Sequence, residues 1–317
     1  MTVLDRPPVR ASAPVPRTAA RARRPRGAGL TPWLFLAPGM ILFLAAIIYP
    51  MMQAFQMSLY DWKVLKGLSS EFLGFDNYRR AFDDPIFWRA LVNSGVYMAI
   101  TVPIQVVLGL LVAILLNRKA PARALFRVLF YLPVVTSWVV VSLMFKYLFA
   151  DNGVINWALR DVTGLTDGNI SWLGDRWTAM AAISVLGIWK GVGWSMMIFL
   201  AALQGVPRDL EESAAVDGAG ALARFRAVTL PAIFPALAFV VVMLVIGGFN
   251  VFTSVLVMTD GGPAQQTQVL LTYMYQLAFA DGEYGYGAAM AVLLTIAVFI
   301  ISILQLRAFR GRMGSAT

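Results

Sequence analysis

Six apolar stretches, each long enough to cross a bilayer as a helix, alternate with shorter polar segments along the chain. They lie at about 32–58, 91–116, 125–149, 178–204, 233–258 and 286–308. A helix of about 20 residues crosses the roughly 30 Å of a hydrocarbon core. No part of the chain alternates polar and apolar residues in the roughly 10-residue units of a transmembrane barrel. The pattern therefore predicts an all-α integral membrane protein with six transmembrane helices in a lipid bilayer.

The composition supports this class and excludes several kinds of chemistry. The chain has 317 residues, of which 59% are hydrophobic and only 14% charged, and it has no cysteine and no histidine. Disulfides, thiol nucleophiles, histidine acid–base catalysis and the commonest zinc ligands are thus excluded. The dipeptide Gly-Lys is absent, so the chain has no P-loop and cannot itself be an ATPase. We predict no catalytic residue, no metal site and no cofactor of the chain's own.

Basic residues are concentrated in alternate connections between the apolar stretches. Seventeen of the 26 lie in the N-terminal tail, the second-to-third and fourth-to-fifth connections and the C-terminal end, whereas 259–285 has none. This distribution follows the positive-inside rule, so both termini are expected in the cytoplasm. It also explains the net charge of +9 without a nucleic-acid partner.

Three parts of the chain are distinguished on this basis. The first 29 residues are rich in Pro, Ala and Arg and are expected to form a disordered cytoplasmic tail before an uncleaved anchor. Residues 30–310 are expected to form the membrane domain, and residues 311–317 a cytoplasmic end.

One segment inside the membrane domain, EESAAVDGAGALARFRAVTLP at 211–231, is dense in charges and helix formers. Pro207 predicts a helix start, with acidic residues in its first turn, where the helix dipole favours anions. Gly218 predicts the end of this helix, and a second helical piece is expected from about Ala221 until Leu230 and Pro231 stop it. A helix–turn–helix with a small-residue face suits insertion into the cleft of another protein. The alternative is a solvated amphipathic loop at the lipid headgroups.

The spacing of Glu212-Ser213-Ala214, Gly218 and Val228-Thr229-Leu230-Pro231 resembles the E-A-A…G…I-x-L-P signature of ABC importer permeases. The stretches 72–97 and 258–279 are similar to external loops of the carbohydrate-uptake type. The resemblance implies the type I ABC importer permease fold. It also implies that the segment docks on a cytoplasmic ATPase, through these residues: Glu212, Ala214, Ala215, Asp217, Gly218, Leu230 and Pro231.

Two apolar stretches carry candidate residues for a substrate pathway. The fourth contains GIWKGVGWS at 187–195, and the fifth contains GGFN at 247–250, which we place midway along that span. Tight helix packing is the competing interpretation of the glycines. Lys190 is expected to contact a ligand or a partner carboxylate, or to snorkel along a water-filled cavity. By resemblance, several of these positions match substrate contacts, and Leu244, Gly248 and Val251 would share one helical face. The full candidate set is Trp189, Lys190, Gly191, Trp194, Leu244, Gly248, Asn250 and Val251.

The expected function is therefore one permease subunit of an ATP-driven importer of di- or oligosaccharides in a bacterial cell membrane. The resemblance implies a second homologous permease, an ATPase dimer that binds the ATP, and an external solute-binding protein. A permease for another solute, such as glycerol phosphate or a polyamine, is the alternative. A secondary transporter is disfavoured because the carboxylates lie in loops, and a membrane enzyme because no catalytic constellation is present.

Overall fold

The computed structural model describes residues 31–64, 69–118 and 122–313. The predicted N-terminal tail, the connection around Lys119 and the C-terminal residues after 313 lie outside the described residues. The described residues divide into two compact units, with the boundary between Met51 and Met52.

The first described helices are apolar. Helix α1 (Thr31–Phe43) leads through a π-helical turn, Leu44–Ile48, into α2 (Tyr49–Ser58). Together they provide a candidate span, Trp33–Ser58, which agrees with the predicted first stretch at 32–58.

The second unit contains one short antiparallel strand pair and the remaining helices. Strand β1 (Tyr60–Asp61) pairs with β2 (Glu71–Phe72). The long helices are α4, α8, α11 and α14, and three further π-helical turns lie at Ala158–Val162, Phe225–Thr229 and Gln276–Ala280. The helices of this unit are α3 (Asp76–Asp83), α4 (Pro85–Asn117), α5 (Arg123–Val135), α6 (Trp138–Leu148), α7 (Val154–Trp157), α8 (Arg176–Gln204), α9 (Arg208–Val216), α10 (Ala221–Arg224), α11 (Leu230–Phe249), α12 (Thr253–Met258), α13 (Leu270–Tyr275) and α14 (Tyr284–Met313).

Helix α8 lies at the centre of this unit. In an apolar 18-residue stretch of α8, 61% is buried. The corresponding share is 28–33% for α4, α14 and the helix that contains α11. Its buried side chains include Met180, Ile183 and Phe199. The glycines of α8 do not interrupt it, because the helix is continuous over 29 residues. A side chain on α8 is therefore placed by a rigid element.

The predicted third span is broken rather than continuous. Helices α5 and α6 meet at an angle of 95° across Thr136 and Ser137, whose backbones are extended. With this pair counted as one span, the described residues contain up to six candidate spans, and five without it. The predicted number of six is thus reached only through a bent element.

Two predictions about the fifth span are wrong. Leu230 and Pro231 do not stop a helix, since one helix runs from Ala221 to Phe249. A π-helical turn precedes Pro231 in this helix, and the Leu230 N–H bonds back to the Phe225 carbonyl. Pro231 lies next to this turn in the first turn of α11, where a missing N–H is tolerated. The Gly-Gly-Phe-Asn sequence lies at the end of α11, not midway, and the backbone breaks there before α12.

Candidate functional site

A cavity of about 340 Å³ lies between α4, α8, α11 and the bend that joins α5 to α6. Lys190, one of its lining residues, is the middle residue of α8, 14 residues from either end. At 1.5 Å per residue this places the cavity about 20 Å from the ends of that helix, close to the middle of a bilayer. The lining residues are Tyr97, Thr101, Gln105, Val134, Trp138, Gly187, Lys190, Gly191, Trp194, Met243, Leu244, Gly247 and Gly248.

A row of polar side chains on α4 forms one wall of the cavity. Tyr97, Thr101 and Gln105 are spaced four residues apart and so share one face of the helix. The Thr101 hydroxyl donates to the Tyr97 carbonyl at 2.8 Å. Within the described residues the Tyr97 hydroxyl and the Gln105 amide form no hydrogen bond, so both remain available to a ligand in the cavity. Sequence reasoning missed this row, although polar residues every four positions in an apolar span were a usable signal.

The glycines of α8 allow these side chains to approach its backbone. A Cβ atom added to Gly187 would collide with the Tyr97 hydroxyl, and one added to Gly191 would collide with the Gln105 amide oxygen. On the other side of the helix, a Cβ atom on Gly193 would collide with the Phe130 carbonyl. The Phe130 carbonyl belongs to the backbone, so close packing against α5 requires glycine at 193, whereas a Cβ atom at 187 or 191 would displace a side chain of α4. Gly187 and Gly191 both border the cavity.

Lys190 binds backbone carbonyls at the bend. Its ammonium group donates to the Pro133 and Thr136 carbonyls, each at 2.7 Å, and approaches the Val134 carbonyl at 3.4 Å. It also lies 4.9 Å from the centre of the Trp138 ring. The side chain is 3% exposed. A cation here compensates carbonyls that the end of α5 leaves without helical partners.

This arrangement was not among the three roles expected for Lys190. The sequence predicted contact with a ligand, contact with a partner carboxylate, or snorkelling, and it did not predict these hydrogen bonds to the chain's own backbone. The Thr136 hydroxyl adds a 2.6 Å bond to the Pro133 carbonyl. Lys190 and Thr136 together stabilise the bent connection that supplies Val134 and Trp138 to the cavity.

The structure brings together only some of the predicted pathway residues. Lys190, Gly191, Trp194, Leu244 and Gly248 line the same cavity.

The other three candidates lie elsewhere. Trp189 lines an apolar groove with Phe126 and Phe130 on α5. Asn250 is exposed, donates to the Ile246 carbonyl at 2.8 Å and faces a separate cavity beside α14. Val251 is buried beyond the end of α11. It therefore does not share a helical face with Leu244 and Gly248, and that prediction is wrong.

The segment at 207–231 has the predicted helix–turn–helix form at its start. Helix α9 begins at Arg208 after Pro207, Gly218 adopts a left-handed φ of +80° that ends it, and α10 begins at Ala221. Glu211 accepts a 3.1 Å hydrogen bond from the Thr229 hydroxyl, which fastens α9 to the following π-helical turn.

The predicted coupling residues differ in exposure. Glu212, Ala215, Asp217, Gly218 and Pro231 are exposed, whereas Ala214 and Leu230 are half-buried. Within the described residues the Glu212 carboxylate has no hydrogen-bond or ion-pair partner, so it is free to meet another molecule.

Near the N-terminal ends of α4 and α8, Asn93 forms hydrogen bonds to the loop before α13. This buried side chain donates to the Gln266 and Gln268 carbonyls at 2.8 and 2.7 Å, and accepts a 2.8 Å bond from Arg176. Sequence reasoning did not single out Asn93, because its partners lie far away in the chain.

Asp84 forms a second anchor in this region, at the N-cap of α4. It accepts hydrogen bonds from the Tyr273 and Tyr286 hydroxyls at 2.6 and 2.7 Å. Burial raises the pKa of the carboxyl, but these bonds and those from two backbone N–H groups outweigh it and hold the pKa of Asp84 below its ordinary value. Burial, and then the bond to Asp84, raise the pKa of Tyr273. Tyr273 is buried, whereas Tyr275 is exposed.

Comparison with known proteins identifies close relatives. The family model described as binding-protein-dependent transport system inner membrane component matches residues 105–314. The lactose transport system permease protein of Rhizobium radiobacter is 33% identical, over 93% of this chain and 99% of that protein. The arabinooligosaccharides transport system permease protein of Halalkalibacterium halodurans is 36% identical, over 87% of each.

The fold also matches solved structures. A chain of a bacterial alginate ABC transporter, solved in complex with an alginate pentasaccharide-bound periplasmic protein, superposes with a TM-score of 0.78. It is 24% identical, and the match covers 91% of this chain and 98% of that one. This similarity establishes the permease fold.

Proposed function

The chain belongs to the family of binding-protein-dependent transport system inner membrane components, and from this premise we propose that it is the permease subunit of an ATP-driven importer of di- or oligosaccharides. The observation that carries the proposal is the near full-length similarity to permeases of lactose and arabinooligosaccharide transport systems. In such an importer the chain forms half of the translocation pathway and a second homologous permease forms the other half.

The chemistry of the central cavity supports a neutral, hydroxylated solute. The free Tyr97 hydroxyl and Gln105 amide can donate to and accept from sugar hydroxyls, and Trp194 offers an apolar ring to the C–H face of a sugar. A volume of about 340 Å³ lies within the usual range of small-molecule sites. We place the substrate pathway along this cavity.

The alternative solutes fit less well. Glycerol phosphate would need a cation, but the Lys190 ammonium is already directed to three backbone carbonyls. A polyamine would need carboxylates, and none of the residues that line this cavity is Asp or Glu. Both observations favour a sugar.

The coupling segment, residues 207–231, connects directly to the helices that line the cavity. Its first helix, α9, follows α8 after a three-residue turn, and its second half belongs to the helix Ala221–Phe249. Leu244 lies 23 residues after Ala221, a distance of about 35 Å along that helix. A displacement of 207–231 would thus reach the cavity wall through rigid elements.

The proposed mechanism follows from this connection. A cytoplasmic ATPase dimer, which binds the ATP, meets exposed Glu212, Ala215 and Asp217, with Ala214 and Gly218 allowing close approach. Its closure moves α8 and α11, and the cavity changes from outward to inward access after delivery of sugar by an external solute-binding protein. The segment and both termini then lie on the cytoplasmic side of the bacterial cell membrane.

Uptake in cells that lack this chain tests the proposal. We expect these cells to lose uptake of one labelled di- or oligosaccharide while keeping uptake of glycerol phosphate and spermidine. The wild-type chain should restore it and Gln105→Ala should restore it poorly. Loss of glycerol phosphate or spermidine uptake instead would overturn the sugar assignment and leave the permease role intact.

A further inference from the structure

A second, polar cavity of about 770 Å³ lies where α4 and α8 end and α5 and the coupling segment begin. Its charged lining residues are five arginines and two glutamates, Glu211 and Glu212, so the lining carries a net charge of +3. The arginines are Arg118, Arg123, Arg127, Arg208 and Arg224.

No described residue forms an ion pair with any of these five arginines. Among the described residues, the ion pairs involve other basic side chains, at Lys63, Arg79, Arg80 and Arg160. The Nε atoms of Arg127 and Arg224 are buried and have no hydrogen-bond partner. A buried donor without an acceptor carries the full cost of its desolvation. An acceptor from outside the chain would remove that cost.

The helix that carries two of these arginines adds to the positive potential. Helix α5 has no acidic residue in its first turn, and Ala122 provides no side-chain cap. Arg123, the first residue of α5, therefore lies at the positive end of the helix dipole, where anions and not cations are stabilised. An anion in the cavity would compensate the guanidinium groups and the free N–H groups of α5 together.

The position of the cavity indicates the source of the anion. Helices α4 and α8 contain 33 and 29 residues, about 50 and 43 Å, so their ends extend beyond a hydrocarbon core of about 30 Å. The cavity at these ends lies at the depth of the lipid headgroups, where basic pockets between spanning helices bind anionic lipids. Guanidinium groups also suit the phosphate group, which they can bind through two parallel hydrogen bonds.

We propose that this cavity binds the phosphate of an anionic phospholipid, with Arg127 and Arg224 as its most buried donors. The bound headgroup would bridge α5 to α10, and thus the bent pair of helices to the proposed coupling segment. The lipid would thereby stabilise one arrangement of the segment relative to α4 and α8. The proposal depends only on the cavity lying at the membrane surface, and holds whatever solute is transported.

Lipid retention by the complete purified transporter tests the proposal. The transporter is reconstituted with phosphatidylcholine alone or with added phosphatidylglycerol, then extracted, and the bound phosphatidylglycerol is counted by native mass spectrometry. The test variant is Arg127→Gln/Arg224→Gln, and Arg118→Gln, which changes an exposed lining residue, is a milder second variant. The matched control is Arg307→Gln/Arg310→Gln, which removes two exposed arginines of α14 that do not line the cavity.

We expect each lining arginine to contribute about fivefold to retention, so the double variant should retain about 25-fold less phosphatidylglycerol and Arg118→Gln about fivefold less. The α14 control should match the wild type. Equal retention by wild type and both lining variants would overturn the proposal. Displacement of the lipid by inorganic phosphate would identify a soluble anion site, and loss of the ATPase with unchanged lipid would identify a protein-docking surface. Either result also overturns it.

Discussion

Replacement of Lys190 by methionine tests how the bend between α5 and α6 is held. Methionine keeps the length and apolar stem of lysine but removes the donors to the Pro133 and Thr136 carbonyls. Hydrogen bonds between membrane helices contribute on average about 0.6 and at most about 1.7 kcal/mol each. Two short bonds therefore stabilise the bend by about 1 to 3 kcal/mol. The Thr136 hydroxyl still donates to the Pro133 carbonyl in the variant. Most of the lost stabilisation therefore comes from the Thr136 carbonyl, which loses its donor.

The chain has no cysteine, so a spin-label pair can report on the bend directly. Leu125 on α5 and Tyr147 on α6 are exposed and lie about 11 and 10 residues from the break. At 1.5 Å per residue their separation is about 22 Å with the observed 95° bend, and about 33 Å in a straight helix. Pulsed electron paramagnetic resonance on Leu125→Cys/Tyr147→Cys resolves this difference.

We expect one short distance with Lys190, and a broader distribution that extends to longer distances with Lys190→Met. Lys190→Arg keeps the charge and donors and should preserve the short distance in part. An unchanged, narrow distribution in Lys190→Met would show that the bend does not depend on the ammonium group. A selective rise in the KM for sugar with the bend intact would instead indicate a ligand contact.

Three further outcomes follow from the structure. Glu212→Ala should weaken co-purification of the ATPase, because the exposed carboxylate has no partner within the described chain. The control is Glu211→Ala, which loses the hydrogen bond from Thr229 and shows the effect of a local folding change alone. The pKa of Asp84 is lowered in the folded protein, so its stabilisation is complete above the ordinary pKa of about 4 and is lost as the pH falls through the folded value. Asp84→Asn should therefore lower thermal stability at pH 7, with a smaller difference from wild type below about pH 4. Gly191→Ala should displace the Gln105 amide, which its Cβ would overlap, and so reduce uptake about as much as Gln105→Ala; wild-type uptake would contradict a role for the Gln105 amide in the cavity.

The long helices could be predicted from the sequence because hydropathy depends on composition and length alone. The second, fourth and sixth stretches correspond to α4, α8 and α14, and the glycine at 218 ends α9 as its conformational freedom predicts. The bend between α5 and α6 gives no such signal. Thr136 and Ser137 lie between apolar residues and barely change the local hydropathy, so the stretch reads as one straight span.

The cavity could be predicted only in part for a related reason. Lys190 stood out as a charge within a span, but its partners are backbone carbonyls more than 50 residues earlier. Because every residue has a backbone carbonyl, no residue type in the sequence marks these partners. Asn250 stood out as a polar residue, yet the end of α11 at Phe249 directs it away from the cavity. The row formed by Tyr97, Thr101 and Gln105 was readable from its spacing.

A cysteine in the cavity provides the most direct test that it is the substrate pathway. Gly247 lines the cavity, and a Cβ atom there meets no other atom within 4 Å. Gly95 on α4 is equally open but does not line the cavity, so Gly95→Cys is the matched control. We predict that a thiol-specific reagent blocks sugar uptake in Gly247→Cys but not in Gly95→Cys, and that the transported sugar slows the block. Full uptake after complete modification of Gly247→Cys would contradict the assignment of this cavity to the pathway.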